Sequence, residues 1–337
     1  MQTDPVFGLP TPLVFAHRGG AGEVPESTEL AFRHAVEAGV DVLEFDLNLT
    51  NDGKIVVWHG PDLDNVYVGT QLLKGQSIEE VSWEELGNAR VVDPRRPDNR
   101  AQDLQRKLLL LEDFVRLVQR MESERARSGA MLSAAMPWNI ELKGKLERWE
   151  AVPQALPELF RLLDAEVARR KIVLAALRVK DVQRLRQATT KHSRSPAAYA
   201  SNLAGEEQLP YRKWMRLGPL ESLVVAAVAA PFSAEPKPPL EHWTLETAHA
   251  LVDKPLVEEV HRRGGAIHAF LTPFAKWVLP GVDHKADAEL EKEIRRLLET
   301  GIDGIMTDYP ARVVPIVKKV QQARGASTPP ARGVAAG

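Results

Sequence analysis

Titratable side chains are concentrated in the first sixty residues of the chain, where they follow short apolar runs. They are His17 and Arg18, then Glu44 and Asp46, then His59. Glu44 and Asp46 are two residues apart on a predicted strand, so both side chains point to the same face. Neighbouring carboxylates repel each other unless a cation lies between them, and hard oxygen ligands suit Mg²⁺ or Ca²⁺. The pattern therefore predicts a site for one divalent cation.

A second group of the same kind lies in the middle of the chain. Glu141 and Lys143 are again two residues apart on a predicted strand, which adds a third carboxylate and a cation. Phosphoryl transfer requires charge neutralisation at the non-bridging oxygens, a base for the attacking hydroxyl and an acid for the leaving alcohol. His17 and His59 are candidates for the proton transfers, and Arg18 and Lys143 for binding the anion. The combined set indicates cleavage of a phosphodiester.

The elements that must position these residues alternate along the chain. Apolar runs of four to six residues alternate with amphipathic stretches of ten or more, a pattern typical of repeated βα units and a parallel sheet. We therefore predict an α/β fold, a TIM-type (β/α)8 barrel, in which active sites lie at the carboxyl ends of the strands. The predicted strands are Leu13–Ala16, Val42–Leu47, Ile55–Trp58, Lys107–Leu110, Trp138–Leu142, Ile172–Ala176, Ala197–Ala200, Leu223–Ala227, Ala266–Phe270 and Gly304–Thr307.

The connection between Asp46 and His59 is irregular, because it is too short for a crossover helix. Asp52-Gly53 midway is a common turn dipeptide. A hairpin there pairs residues whose numbers sum to about 104 and places His59 opposite Phe45, whereas an extended return begins a parallel strand. Either route brings His59 beside the carboxylate pair. The predicted helices are Thr28–Ala38, Glu112–Arg127, Pro153–Arg169, Val179–Thr189, Pro255–Arg263, Asp287–Thr300 and Ala311–Val320.

We predict one domain over residues 1–324. Residues 62–106 are polar and partly rich in proline and arginine, and we expect a long insertion there over one face of the barrel. Loops of that length in a compact domain are usually functional lids or disordered segments. The sequence leaves open whether residues 87–106 form a lid. Residues 325–337 are predicted to form a disordered tail.

Composition narrows the function classes. Lys and Arg number 44 against 46 Asp and Glu, so there is no overall field that would attract nucleic acid. The absence of cysteine excludes thiolate nucleophiles and cysteine-ligated metals. The longest apolar run, Leu223–Pro231, is far too short for a membrane span, and the first residues do not form a secretory signal. We expect a cytoplasmic protein with a small-molecule partner, and its oligomeric state is left open.

Short motifs are spread over most of the chain. They are His17-Arg18-Gly19, Pro25-Glu26-Ser27-Thr28, Ala31-Phe32 with Ala35 and Gly39, Glu44-x-Asp46, Thr50-x-Asp52-Gly53, Val56-Val57-Trp58-His59, Leu111-Glu112-Asp113, Ile140-Glu141-Leu142-Lys143 and residues 301–310, GIDGIMTDYP. Together these motifs resemble the glycerophosphodiester phosphodiesterase family, which belongs to the PLC-like phosphodiesterase TIM-barrel superfamily. The resemblance covers about residues 13 to 315 and is densest in the first sixty.

The resemblance implies a TIM-type barrel that hydrolyses glycerophosphodiesters to sn-glycerol 3-phosphate and an alcohol with one Mg²⁺ or Ca²⁺. Which histidine is the acid and which the base stays open, as does the choice between direct hydrolysis and a cyclic phosphate intermediate. The positions that match the family's functional residues are the metal ligands Glu44, Asp46 and Glu141, the acid–base pair His17 and His59, the phosphate contacts Arg18 and Lys143, and the supporting Glu26.

Four departures from the family pattern bear on the substrate more than on the reaction type. They are Ser27 in place of Asn, Gly60 in place of Asp, Ala176-Leu177 and Phe270-Leu271. One alternative is a phospholipase D-like or phosphoinositide-cleaving enzyme of the same superfamily. Another is a non-catalytic barrel that binds a phosphorylated ligand.

Two further polar residues lie on predicted strands or at their ends. Asp308 is expected to cap a helix or support the structure, with contact to Arg18 as the alternative. His268, on an apolar strand, is a candidate for substrate contact.

Overall fold

A computed structural model describes residues 2–92, 106–127, 135–176, 179–195, 199–204, 243–249, 252–262, 264–271 and 287–326. The strands in these ranges are β1 Leu13–Ala16, β2 Val42–Leu49, β3 Ile55–Val57, β4 Val66–Val68, β5 Gln71–Leu72, β6 Arg90–Val91, β7 Leu109–Leu110, β8 Trp138–Leu142, β9 Ile172–Ala176, β10 Tyr199–Ala204, β11 Trp243–Ala248, β12 Gly265–Leu271 and β13 Gly304–Thr307.

The α-helices of the same ranges are α1 Glu29–Ala38, α2 Trp83–Leu86, α3 Leu111–Arg127, α4 Leu146–Ala151, α5 Ala155–Asp164, α6 Val179–His192, α7 Lys254–Arg262, α8 Asp287–Thr300 and α9 Pro310–Ala326. α1 begins as predicted, because the hydroxyl of Thr28 accepts a hydrogen bond from the backbone N–H of Ala31. Within the described ranges, no helix is both long and apolar enough to cross a membrane.

Parallel strands close into a barrel within the described residues, which confirms the predicted fold. From β1 the order runs through β13, β12, β11, β10, β9, β8 and β2, and β2 pairs with β1 again. Side chains alternate across each strand. Phe45 of β2 and Trp138 of β8 pack outward in the large hydrophobic core, whereas Phe15 and Met306 belong to a smaller apolar cluster inside the barrel.

The irregular connection after Asp46 is a hairpin, as one of the two predicted routes requires. β2 and β3 are antiparallel and pair Leu47 with Val57 and Leu49 with Ile55, so the paired numbers sum to the predicted value. One further hydrogen bond extends the pairing, from the backbone N–H of Trp58 to the carbonyl of Asp46 (3.0 Å). The hairpin therefore returns the chain to the carboxylate pair just before His59.

The first part of the predicted insertion is an ordered unit. β5, β4 and β6 form a small antiparallel sheet, and α2 begins at a capping box between Ser82 and Glu85. Buried apolar side chains of this unit, among them Leu63 and Ile78, form a core of their own with Trp58. The sequence did not reveal these strands, because runs of two or three residues show no periodicity. Residues 93–105 lie outside the described ranges.

Two other predictions differ from the structure. The helix predicted over Pro153–Arg169 is present but shorter, as α5, and α4 before it was not predicted. An extended Val152 (φ −95°, ψ 104°) separates the two helices, because the residue before a proline disfavours helical angles. β11 was not predicted, because its apolar residues alternate with Thr and Glu and form no continuous run. The predicted strand Leu223–Ala227 lies outside the described residues.

Candidate active site

β1 ends in a turn that carries the first two predicted site residues. In the short helical turn His17–Gly19, Arg18 has a left-handed φ of 51°, which is uncommon for a residue with a side chain. This conformation lets the backbone N–H of Arg18 donate to Oε2 of Glu44 at 2.8 Å. Gly19 is required next, because a Cβ there would lie 2.7 Å from Cβ of Ala31. The turn therefore fixes His17 and Arg18 beside β2.

Glu44 and Asp46 lie on the inward face of β2, as the alternation predicted, with 4% and 1% of their surface exposed. The guanidinium of Arg18 joins two acids. Its Nη1 lies 2.8 Å from Oε2 of Glu26, and its Nε lies 3.2 Å from Oδ2 of Asp46. Arg18 therefore partly neutralises the carboxylate pair in the free protein.

A second cation reaches the same carboxylates from β8. Nζ of Lys143, directly after the strand, lies 2.9 Å from Oδ1 of Asp46 and 2.8 Å from Oε1 of Glu141. The carbonyl of Lys143 accepts a hydrogen bond from the indole N–H of Trp149 (3.0 Å), which ties this strand end to α4. β2 and β8 are neighbours with Asp46 opposite Glu141, so the two-residue spacing of each strand brings the charges together.

His17 is held by Asp308, for which the sequence had predicted a different role. Nδ1 of His17 lies 2.6 Å from Oδ1 of Asp308, which directly follows β13, and β13 is the parallel neighbour of β1. The ring of Phe270 packs edge-on against the imidazole, with 6.3 Å between centroids. Asp308 thus contacts His17, whereas helix capping or structural support was the favoured expectation. Its position at a strand end was the signal, but the partner depends on barrel closure.

His59 follows the hairpin and reaches the same group of charges. Burial, with the charges of Arg18 and Lys143, lowers the pKa of His59 to about 3, although Asp46 opposes this shift. For His17, burial and Arg18 lower the pKa, but Asp308 and Glu44 outweigh them and raise it. The surroundings therefore favour the protonated form of His17 and the neutral form of His59, although both lie in one site.

The pKa values of the two carboxylates of β2 are also shifted in opposite directions. Burial and the neighbouring Asp46 raise the pKa of Glu44 to about 8. For Asp46, burial alone would raise the pKa, but Lys143 and Arg18 hold it well below its usual range. Burial would likewise lower the pKa of Lys143, and Asp46 and Glu141 raise it instead. The site thus holds more buried acid than its two cations can neutralise.

The structure brings the eight predicted site residues to one end of the barrel. In the described part of the chain, however, no three His, Asp or Glu side chains are arranged closely enough to hold a metal ion, because Lys143 lies between two of the predicted ligands. The eight residues are His17, Arg18, Glu26, Glu44, Asp46, His59, Glu141 and Lys143.

His268 does not belong to this site, which corrects the expectation of substrate contact. It lies inside the barrel with 1% of its surface exposed, and its Nε2 lies 3.0 Å from Oδ2 of the buried Asp4. Phe7 and Phe15 pack against its ring. The N-terminal segment thus supplies the partner of His268, and nothing in the strand pattern of the sequence indicated this contact.

Comparison with known proteins gives consistent matches. Residues 17–312 match the model of the Glycerophosphoryl diester phosphodiesterase family. The chain is 26% identical over 308 residues to a glycerophosphodiester phosphodiesterase of Bacillus altitudinis, covering 91% of this chain and 99% of that protein. It is 33% identical over 153 residues to the uncharacterised protein YqiK of Bacillus subtilis (strain 168), of which it spans about half, 54%.

The fold is also found among solved structures. A phosphodiesterase of Oleispira antarctica, solved in complex with the product sn-glycerol-3-phosphate, aligns with a TM-score of 0.56 and 16% identity. The alignment covers 91% of this chain and 97% of that one. At this level of identity the likeness supports the barrel fold alone.

Proposed function

The chain belongs to the glycerophosphoryl diester phosphodiesterase family and is therefore a phosphodiesterase, and we propose that it hydrolyses glycerophosphodiesters to sn-glycerol 3-phosphate and an alcohol. The observation that carries the proposal is the convergence of His17 and His59 on one buried carboxylate pair, Glu44 and Asp46. That set contains proton donors and acceptors together with an excess of acid. The cytoplasmic location stays a prediction from the sequence.

The donor set suits one hard divalent cation, Mg²⁺ or Ca²⁺. Apart from the ion pairs with Arg18 and Lys143, the two buried oxygens of Asp46 form no hydrogen bond within the described residues, and the raised pKa of Glu44 reflects acid that lacks a full counter-charge. Glu44, Asp46 and Glu141 would hold the ion. When bound, it would neutralise charge on the non-bridging oxygens of the phosphate.

The histidines supply the proton transfers in this proposal. Because Asp308 engages Nδ1 of His17, Nε2 is the nitrogen of that ring left to exchange a proton with the substrate. His59 follows β3, the antiparallel neighbour of β2, and reaches the carboxylate pair along the hairpin. One imidazole takes the proton of the attacking hydroxyl and the other gives a proton to the leaving alcohol.

Arg18 and Lys143 provide positive charge for the phosphate. Both are ion-paired to Asp46 in the free protein, and their raised pKa values keep them protonated. A substrate phosphate therefore meets two cations that are already fixed in place, so that little reorganisation is needed when it binds.

The direct test is release of glycerol 3-phosphate from glycerophosphocholine and glycerophosphoethanolamine, with Mg²⁺ and with Ca²⁺, before and after chelation. We expect activity that the chelator abolishes and that either added cation restores. H17Q and H59Q should each lose activity by a factor on the order of 10² or more. H192Q, which removes an imidazole from α6 away from the site, is the matched control.

Several outcomes would contradict parts of the proposal. If chelation leaves turnover unchanged, the proposed role of the cation is refuted. Release of choline from lysophosphatidylcholine but not from the deacylated diester favours the lipid-cleaving alternative. Binding of phosphate without turnover of any diester favours the non-catalytic barrel. Phosphorus NMR during turnover separates a cyclic phosphate intermediate from direct hydrolysis.

A further inference from the structure

The two site histidines are held in different ways. The imidazole of His17 is fixed by the carboxylate of Asp308 at 2.6 Å. Within the residues that the structure describes, no side chain forms a hydrogen bond with the imidazole of His59. The hydrogen bond that holds His59 is made by its backbone carbonyl.

One buried amide holds that backbone. Asn48 follows Glu44 and Asp46 along the inward face of β2, and 2% of its surface is exposed. Its Nδ2 donates to the carbonyl of His59 at 3.1 Å and approaches the carbonyl of Trp58 at 3.5 Å. The strand that carries the two acids thus also carries the amide that donates a hydrogen bond to the backbone of His59.

The residue after His59 is fitted to this contact. Gly60 has a left-handed φ of 39°, and a Cβ there would lie 3.0 Å from Nδ2 of Asn48 and 3.0 Å from Cδ1 of Trp58. Any side chain at position 60 would therefore press on the amide. The hydrogen bond from Asn48 therefore requires that position 60 has no side chain.

Hydrogen bonds of Trp58 also hold the chain on both sides of His59. The backbone N–H of Trp58 donates to the carbonyl of Asp46 (3.0 Å), and its indole N–H donates to the carbonyl of Asp62 (3.1 Å). These bonds fix the chain before and after His59, but they leave its own carbonyl to Asn48. Loss of the Asn48 amide would leave the carbonyl of His59 without this partner and free the peptide to rotate.

We propose that Asn48 is a positioning residue that aims His59 at the reacting phosphate by holding its carbonyl, with Gly60 leaving room for the amide. The inference rests on the proposed phosphodiesterase function and adds a residue to it. Asn48 touches neither of the reacting groups and acts through the backbone of His59. A misplacement of about 1 Å in a catalytic group costs on the order of 10²-fold in rate, which sets the scale of the expected effect.

The test compares Asn48→Ala and Asn48→Leu with the control Asn51→Ala. Asn51 also donates its amide to a backbone carbonyl, that of Glu80 (3.0 Å), but on an exposed surface. We expect kcat on glycerophosphocholine to fall by about 10- to 100-fold in both Asn48 variants, with KM within about threefold of wild type, and no change in Asn51→Ala. Leucine keeps the branched shape of the side chain but has no donor, so it controls for the cavity that alanine leaves.

A second pair of variants approaches the contact from the other partner. Gly60→Ala should reduce kcat as the Asn48 variants do, because the methyl group displaces the amide. Gly69→Ala adds the same group at a left-handed φ of 59° with no atom within 4 Å, so it controls for backbone strain. Equal kcat values in these two variants would overturn the inference.

Histidine NMR provides a readout that does not depend on turnover. The ring signal of His59, assigned by its loss in H59Q, should be single and sharp in wild type and shifted or broadened in Asn48→Ala. Unchanged His59 signals, or folded Asn48 variants whose kcat equals that of Asn51→Ala, would refute the positioning role. A wild-type protein that hydrolyses no diester would instead refute the proposed function, while the NMR comparison would still test Asn48.

Discussion

Replacing Glu44 by Gln should stabilise the cation-free protein and remove its response to divalent cations. Glu44 is buried beside Asp46, and its pKa is raised from 4.5 to about 8. The fold therefore disfavours the ionised form. Glutamine removes the charge but keeps an oxygen that can accept the backbone N–H of Arg18.

The direction and size of the change in the free energy of unfolding follow from proton linkage. Because the folded pKa lies above the unfolded value, the stability associated with protonated Glu44 is fully present below about pH 4.5 and is lost as the pH rises toward about 8. Each tenfold change in the ionisation constant is worth about 1.4 kcal/mol. The loss is therefore about 3 kcal/mol at pH 7, about 4 kcal/mol at pH 8 and at most about 5 kcal/mol at higher pH.

The assay is urea unfolding in a chelator at pH 5, 7 and 8.5. Over this range the free energy of unfolding of E44Q should fall less than that of wild type, so that the variant becomes the more stable protein at pH 7 and above. E37Q makes the same change at an exposed position of α1 and should follow wild type. Added Mg²⁺ or Ca²⁺ should then stabilise wild type and E37Q but not E44Q.

Two results would refute this reasoning. If E44Q is less stable than wild type at every pH in the chelator, its carboxylate is already compensated by Arg18 and the other neighbours. If the cation stabilises E44Q as much as wild type, Glu44 is not a ligand. The first result speaks against the electrostatics of the site, and the second against its cation.

Two further predictions concern other pairs. D308N should reduce kcat by a factor on the order of 10² to 10³ and shift to lower pH the limb of the pH–rate profile that reports His17, since the pKa of His17 loses a contribution that raises it; an unchanged profile would contradict this. For the buried pair inside the barrel, burial opposes both shifts, yet His268 has a raised and Asp4 a lowered pKa, so the pair stabilises the fold most between about pH 4 and 6.5 and less as the pH rises through the raised pKa of His268. D4N should therefore destabilise the protein more at pH 5.5 than at pH 9 in urea unfolding, and an equal loss at both values would show that the pair does not titrate with folding.

The sequence predicted the parts of the site that depend on local geometry. The spacing of Glu44 and Asp46 was enough to place both side chains on one face of their strand, because strand alternation does not depend on which strands are neighbours. The turn at Asp52-Gly53 was likewise enough to return His59 to them. The hairpin confirmed this through the pairing of Leu47 with Val57.

Contacts that depend on closure of the barrel were not predictable in the same way. Asp308 meets His17 across 291 positions of sequence, and this contact exists only because β13 lies beside β1. His268 was assigned to a strand, but the strand pattern does not say which layer of a barrel a residue occupies. Its partner Asp4 comes from a segment before β1 that carries no periodic signal at all.

The distribution of charge inside the barrel argues that these acids are not there to stabilise the fold. Val42, two residues before Glu44 on the same face of β2, is packed with Phe15 and Met306 in an apolar cluster. The interior can therefore be filled by apolar side chains, and buried ion pairs often stabilise a fold less than such packing does. Glu44 and Asp46 follow Val42 directly along that face, and the pKa of one is forced up while that of the other is held down. Under the proposed function, a cation bound at the carboxyl ends of these strands would relieve this repulsion, so stability and activity should respond in opposite directions when Glu44 is neutralised.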